Sequence, residues 1–95
     1  MSTAIIPVAK FRMGRIVATP NALAHLTAEE ILTAIRRHQG GDWGDLDAED
    51  RTANETAFAH GGRLLSVYHA ANGTRFWLIT ESDRAVSTVL LPEDY

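Results

Sequence analysis

Four side chains in the C-terminal third could cut RNA, namely those of Arg63, Tyr68, His69 and Arg75. Histidine and tyrosine can move protons at a reacting oxygen, and arginine can stabilise the charge that develops on a phosphate. All four residues fall on one predicted β-hairpin, which would bring them into one neighbourhood. For a ribonuclease, we predict Arg63, His69 and Arg75 as the catalytic residues.

Two features of the sequence weigh against this activity. Successive residues of a strand point to opposite faces of a sheet, so Tyr68 and His69 would not face one substrate together. The formal net charge is −3, with 9 basic and 12 acidic residues, whereas a protein that holds RNA phosphates usually presents positive charge. The sequence therefore favours a non-enzymatic role, and nucleic acid is not an expected partner.

A run of carboxylates suggests a metal site, because hard cations bind carboxylate oxygens. Asp42, Asp45, Asp47 and Asp50 lie within nine residues. Their spacing lacks the central glycine and the terminal bidentate glutamate of a calcium loop. Turn formation accounts for Asp42 and Asp45, and helix capping accounts for Asp47 and Asp50. We predict no metal site.

No other chemistry has a motif in this chain. The four histidines, His25, His38, His60 and His69, contain no pair at the helical spacing of a zinc site, and cysteine is absent. No serine lies in a nucleophile elbow, and there is no phosphate loop or dinucleotide fingerprint. We predict no cofactor. His38 and His60 are expected at helix ends, where a cation would offset the helix dipole.

The composition is that of one small globular domain. The chain has 95 residues, 45% of them hydrophobic, and no stretch approaches the roughly 20 apolar residues of a membrane span. The absence of cysteine fits a reducing compartment, and the N-terminal apolar patch is too short for a secretory signal. We predict a cytoplasmic domain over residues 13–95, preceded by an extension over residues 1–12 that is either flexible or an edge strand.

The pattern of apolar residues and caps predicts an α+β fold. A strand is expected over residues 13–18, and Thr19 and Pro20 then open a short helix. A second helix begins at a capping box of Thr27 and Glu30 and ends at residues 40–41. A third helix follows a cap at residue 47 and carries only a thin apolar stripe.

A three-stranded antiparallel meander is predicted over residues 63–70, 74–81 and 85–91, which are rich in β-formers. The dipeptide at residues 72–73 is Asn-Gly, the strongest signal for a two-residue hairpin turn. Such a turn pairs Tyr68 with Trp77, Val67 with Leu78, and His69 with Phe76. The order of strand, two to three helices and meander resembles the RelE/ParE toxin superfamily.

The middle strand has large side chains on both faces, although one layer of helices covers only one. The other face needs a cover, for which the candidates are residues 5–11, the turn at residues 41–45, or another copy of the chain. Because aromatic residues dominate protein interfaces, we predict Trp43, Tyr68 and Trp77 as partner-binding residues.

Four segments together, residues 14–20, 41–46, 77–81 and 90–95, read GRIVATP, GDWGDL, WLITE and LLPEDY. In this combination the chain resembles a group of uncharacterised short bacterial proteins, often called plasmid-related, that are carried on plasmids and integrative elements. The resemblance implies an accessory protein of a mobile element. Such proteins commonly act by binding a host protein.

Three hypotheses follow from these observations. The first is a non-enzymatic protein-binding module of a mobile element. The second is a ribonuclease toxin of the RelE/ParE type, and the third is a homodimer formed through the second face of the sheet.

Overall fold

The computed structural model describes residues 9–95, which form an α+β fold of three helices and a four-stranded mixed sheet. In chain order the elements are β1 (Arg15–Ala18), α1 (Pro20–His25), α2 (Ala28–Gln39), α3 (Ala48–His60), β2 (Leu64–His69), β3 (Arg75–Thr80), β4 (Val86–Leu90) and a final 3-10 helix (Pro92–Asp94). Within these residues, no helix has the length and apolar character needed to cross a membrane. Of the predicted extension over residues 1–12, only residues 9–12 are described.

The predicted helix starts are confirmed. The hydroxyl of Thr19 accepts from the backbone N–H of Ala22, with Pro20 as the first helical residue. Thr27 and Glu30 form the predicted capping box, in which each side chain accepts from the other residue's backbone N–H. Because these caps satisfy donors that a helix start otherwise leaves unpaired, α1 and α2 begin where the sequence places them.

The sheet has the order β1-β4-β3-β2. Strands β2, β3 and β4 pair antiparallel in sequence, as predicted, but β1 joins β4 in parallel. The predicted three-stranded antiparallel meander is therefore one part of a larger mixed sheet, and the RelE/ParE-type topology is not matched in full. The residues of a short strand do not show which sheet edge it will join, so the sequence left this pairing open.

The predicted register of the first hairpin is wrong by one residue. The turn has three residues, because the N–H of Ala70 bonds to the carbonyl of Thr74 and Gly73 adopts a left-handed φ of 87°. The observed pairs are Tyr68 with Phe76, Val67 with Trp77, and His69 with Arg75. Since paired residues share a face, Tyr68 and Trp77 lie on opposite faces rather than on the same one. The Asn72 amide also donates to the carbonyl of His25 in α1, a contact that local turn preferences do not reveal.

One face of the sheet, which we call the covered face, packs against α1 and α2. It carries Leu64, Ser66, Tyr68, Phe76, Leu78 and Val89, all of which are buried. Ala22, Leu26 and Ala34 of the helical layer join Tyr68, Phe76 and Leu78 in the main hydrophobic cluster. The burial of this apolar surface is the main source of the fold's stability.

A buried chain of hydrogen bonds crosses this core. The imidazole of His38, at the end of α2, lies 2.5 Å from the Ser66 hydroxyl through Nδ1 and 2.9 Å from the Thr80 hydroxyl through Nε2. Thr80 in turn contacts the Ser87 hydroxyl at 2.7 Å, and Ser87 donates to the carbonyl of Met13. His38, Ser66, Thr80 and Ser87 are each fully buried.

The donor and acceptor roles along this chain of hydrogen bonds fix the tautomer of His38. The Ser87 hydrogen is used on the Met13 carbonyl, so Thr80 must donate to Ser87, and Nε2–H of His38 must donate to Thr80. Nδ1 then accepts from Ser66. Burial lowers the pKa of His38 to about 4, with a smaller contribution from the positive charge of Arg84. The prediction that His38 acts as a cation at a helix end is wrong, because the side chain is buried and neutral.

The outer edge of β2 is closed by side chain and backbone. The Val67 N–H donates to the carbonyl of Trp43, and the Asp45 N–H donates to the carbonyl of Val67. Further along, the amide of Asn54 in α3 both donates to the carbonyl of Leu65 and accepts from its N–H. The turn at residues 41–45 thus closes this edge at Val67 and α3 closes it at Leu65, whereas the prediction had assigned the turn to the second face of the sheet.

We expect the free energy of unfolding to fall as the pH falls from about 6.5 to about 4. The pKa of His38 is about 4 in the folded chain and 6.5 without burial, so the unfolded state binds the proton more readily in this window. The stabilisation is complete above pH 6.5, and its full loss amounts to about 3 kcal/mol. Urea denaturation between pH 4 and 7 measures it. His60→Gln should keep this dependence because His60 is exposed, and an unchanged slope in His38→Gln would contradict the prediction.

We expect Gly44→Ala to be far more costly than Gly61→Ala. Both glycines have a left-handed φ, 72° and 82°, so the backbone strain is the same in kind. A Cβ on Gly44 would lie 2.0 Å from the carbonyl oxygen of Val67, whereas a Cβ on Gly61 meets nothing within 4 Å. Thermal unfolding should show a loss of about 1 kcal/mol for Gly61→Ala and more than about 3 kcal/mol for Gly44→Ala. Equal losses in the two variants would contradict the predicted clash between a Cβ at residue 44 and the carbonyl oxygen of Val67.

Candidate functional site

A groove of about 410 Å³ opens between α2 and the β2–β3 hairpin. The side chains of Ala34, Tyr68 and Phe76 line it and are almost wholly buried, so the floor of the groove is apolar. Glu29 and Thr33, on the exposed side of α2, form one wall. The groove is present because the capping box sets the start of α2 against the end of the hairpin.

Glu30 connects the α2 side of this groove to the β2–β3 hairpin on the other side. One of its carboxylate oxygens accepts from the backbone N–H of Thr27, and the other accepts from the backbone N–H of Ala71 in the hairpin turn. These two backbone hydrogen bonds lower the pKa of Glu30, so the side chain stays ionised. A residue that the sequence identified only as a helix cap therefore also fixes the hairpin.

Arg37 closes one end of the groove. Its guanidinium lies 4.5 Å from the centroid of the Tyr68 ring and 2.7 Å from a carboxylate oxygen of Asp42. The hydrogen bond from Arg37 lowers the pKa of Asp42, and the same bond raises the pKa of Arg37. This cation is therefore already paired within the protein.

Tyr68 is held in a form unsuited to acid–base catalysis. Its hydroxyl donates to the backbone carbonyl of Asp42, and burial raises its pKa to about 12. The side chain is only 2% exposed. Tyr68 supports the groove as a packed ring that keeps its proton.

The predicted ribonuclease residues lie on the other face of the sheet, and only two of them are neighbours. His69 pairs with Arg75 across the hairpin, and the Nδ1 of His69 lies 2.7 Å from a carboxylate oxygen of Asp45. Arg63 is six positions along the chain from His69, a separation of about 20 Å for an extended strand. It forms an ion pair with Glu81 at 3.1 Å and donates to the hydroxyl of Tyr95. His69 and Arg75 are brought together, and Arg63 is not.

The sheet face away from the helices, which we call the open face, has no second layer of secondary structure in the described part of the chain. Its apolar residues are Val17, Leu65, Val67, Trp77, Ile79, Val86 and Leu90. Val67, Ile79 and Leu90 are buried, and Val67 clusters with Trp43 and Leu46. Five other side chains on this face are only half-buried, namely those of Val17, Leu65, Trp77, Val86 and Thr88. The C-terminal Tyr95 covers part of it, with its ring 5.7 Å from that of Trp77.

Of the three predicted partner-binding residues, only Trp77 keeps accessible side-chain surface. Trp43 and Tyr68 are each 2% exposed. The ring of Trp43 packs edge-on against His38 and donates its indole N–H to Glu55 in α3. The indole N–H of Trp77, by contrast, is buried and has no hydrogen-bond partner among the described residues. A surface for a partner protein would therefore centre on Trp77.

The aspartates of the run at residues 42–50 act as structural groups. Asp42 pairs with Arg37, Asp45 contacts His69, and Asp47 caps α3 through the N–H of Asp50. Among residues 9–95, no three His, Cys, Asp or Glu side chains lie close enough together to hold a metal ion. The predicted turn and cap roles of Asp42 and Asp47 are shown by their contacts, since Asp42 accepts from the N–H of Gly44 and Asp47 from that of Asp50.

Sequence reasoning missed the groove and the role of Tyr95. The groove depends on the packing of α2 against a hairpin distant in sequence, and no local pattern encodes that geometry. A signal for Tyr95 was available, because it is an aromatic residue that follows a sheet predicted to carry large side chains on both faces. The arginine that it contacts, Arg63, was considered only for catalysis.

The chain was compared with known proteins at three levels. No protein family matches it. No curated protein and no solved structure matches it either. Its function must therefore be argued from its own surfaces.

We expect the two tryptophans to differ sharply in their contact with solvent. In Trp43→Phe the only tryptophan is the half-buried Trp77, so its fluorescence should be several-fold more sensitive to acrylamide than that of Trp77→Phe. Adding Tyr95→Ala to Trp43→Phe should raise the sensitivity further, because Tyr95 packs on Trp77. Equal quenching in the two single variants would show that the open face is sealed in solution.

Proposed function

We propose that the chain is a small non-enzymatic protein-binding module, an accessory protein of a mobile genetic element that acts in the cytoplasm. The partner protein binds the open face, around Trp77. The observation that carries this proposal is that α1 and α2 pack on one face of the sheet, while the other face keeps half-buried apolar side chains at Leu65, Trp77 and Val86. The mobile-element context rests on the sequence resemblance of residues 14–20, 41–46, 77–81 and 90–95.

The charges around the open face favour an acidic partner. Arg15 and Arg75 extend from this face and have no carboxylate partner among the described residues. Arg63 is neutralised by Glu81. An apolar centre with a basic rim complements a protein surface that has an apolar centre and acidic rim. Two unpaired arginines are too few to bind nucleic acid by phosphate contacts alone, since such binding depends on the number of phosphates neutralised.

Trp77 is well suited to the centre of such an interface. Tryptophan is enriched among the residues that contribute most to protein binding, and its large ring loses little conformational entropy. Its indole N–H is buried and has no acceptor within residues 9–95, so a partner reaches this donor only after the groups that cover it move aside. Displacement of Tyr95, which is 69% exposed, would widen the accessible ring surface.

A ribonuclease remains the alternative, favoured by one observation. His69 and Arg75 are direct neighbours, and Asp45 contacts the imidazole, which is an arrangement able to orient a proton-transferring histidine. Tyr68 and Arg63 would not take part, because one is buried and the other is distant. Self-association through the open face is the third hypothesis. Cross-linking from the open face distinguishes it from the other two.

A photo-reactive phenylalanine analogue at Thr88 tests the proposal, because Thr88 lies in the middle of the open face. The full-length protein is irradiated in a lysate of its native host, and the cross-linked protein is identified and purified. The matched probe replaces Leu32, which is 50% exposed on α2. We expect an acidic host protein to cross-link from Thr88 and not from Leu32.

The affinity for the purified partner then tests the basic rim. We expect Arg15→Glu and Arg75→Glu each to weaken binding by about tenfold, through loss of charge complementarity. Arg36→Glu, the same charge change on the exposed side of α2, should leave the affinity unchanged. Cross-linking to the chain itself alone would replace the proposal with a homodimer. RNA cleavage that is lost in His69→Ala and Arg75→Ala would replace it with a ribonuclease.

A further inference from the structure

We propose that the groove between α2 and the β2–β3 hairpin is a second binding site, and that it takes a lysine or arginine side chain from an extended peptide segment. This site does not overlap the apolar centre of the open face. The inference goes beyond the proposed function, because the groove could bind such a segment whether or not a protein covers Trp77.

The floor of the groove fits the aliphatic part of a basic side chain. Ala34, Tyr68 and Phe76 present apolar atoms beneath an opening of about 410 Å³. Lysine and arginine place their methylene groups on such surfaces while the charged end stays at the rim in water. The volume is at the lower end of that of small-molecule sites, so it suits one side chain better than a folded partner.

The charges at the rim determine which side chain is favoured. The groove is lined by Glu29 and Glu30, neither of which has a cation partner among the described residues. The lining cation, Arg37, is already held by Asp42, and His69 is held by Asp45. Two carboxylates without a cation partner therefore line the groove, whereas its one permanently charged cation is neutralised by Asp42. A cationic group is attracted to this rim, and an anionic group is repelled.

The edge of β2 explains why the segment should be extended. Val67 uses its outward N–H and carbonyl to bind Trp43 and Asp45, so alternate residues of β2 face this edge. The next residue with that orientation is His69, whose backbone groups have no hydrogen-bond partner within residues 9–95. An extended peptide beside the groove can bind this N–H and carbonyl, as in strand addition to a sheet edge.

Titration of the full-length ¹⁵N-labelled protein with a short peptide tests the site. The probe is the pentapeptide acetyl-Ala-Ala-Lys-Ala-Ala-amide, with matched peptides that carry norleucine or glutamate in place of lysine. We expect the lysine peptide to shift the amide signals of Thr33, His69 and Ala71, with a dissociation constant on the order of millimolar. The norleucine peptide should bind more weakly, and the glutamate peptide should produce no shifts.

Variants separate the groove from other surfaces. Thr33→Tyr should block the groove and abolish the shifts, whereas Leu32→Tyr, on the same helix but outside the groove, should leave them intact. Glu29→Lys should weaken binding by about fivefold, as expected for the loss of an exposed ion pair. Arg15→Glu, which alters the open face, should have no effect.

Three results would overturn the inference. These are equal shifts from the lysine and glutamate peptides, shifts centred on Trp77 rather than on Thr33, and no shifts at a peptide concentration of about 10 mM, well above the expected dissociation constant. None of these results bears on the proposal that a partner protein binds the open face. That proposal is tested separately by cross-linking from Thr88.

Discussion

The hydrogen-bonded chain from Ser66 through His38, Thr80 and Ser87 to the carbonyl of Met13 is the constraint on which the rest of the fold depends. It ties the end of α2 to three strands and to the segment before β1. A buried polar group without a partner costs about 1 to 3 kcal/mol, so each member of the chain restricts its neighbour to one position. An arrangement that displaced α2 would leave several such groups unpaired at once.

This constraint also decides which aromatic residues are available at the surface. The rings of Phe11 and Trp43 pack against the imidazole of His38, with centroids 5.2 Å and 5.6 Å away. Once Trp43 is in place, its carbonyl and the N–H of Asp45 close the edge of β2. Trp43 thus helps to close the edge of β2 at Val67, which prevents another strand from pairing there. Trp77 lies on the other face and has no comparable role in the core.

Local features of the fold could be predicted, and the features set by tertiary contacts could not. The caps at Thr19 and Thr27 depend on residues within three positions, so their patterns were sufficient. The hairpin turn depends also on the contact between Asn72 and α1, and the register was missed by one residue. The burial of His38 required hydroxyl partners from strands 28 and 42 positions away. At the candidate sites, the sequence indicated Trp77 as a candidate for partner binding, which stays a prediction, and nothing in it indicated the groove.

The net charge of −3 understates how strongly the two candidate surfaces differ. Arg15 and Arg75 belong to the open face, whereas Glu29 and Glu30 lie at the groove on the helical side. Because salt screens charges beyond about 8 to 10 Å, the charge that an approaching molecule meets depends on the nearby residues more than on the total. The net charge of the whole chain therefore weighs against phosphate binding, but it does not describe the charge of either surface. The proposed binding of other proteins depends on this local charge, since an interface is selected by local complementarity rather than by total charge.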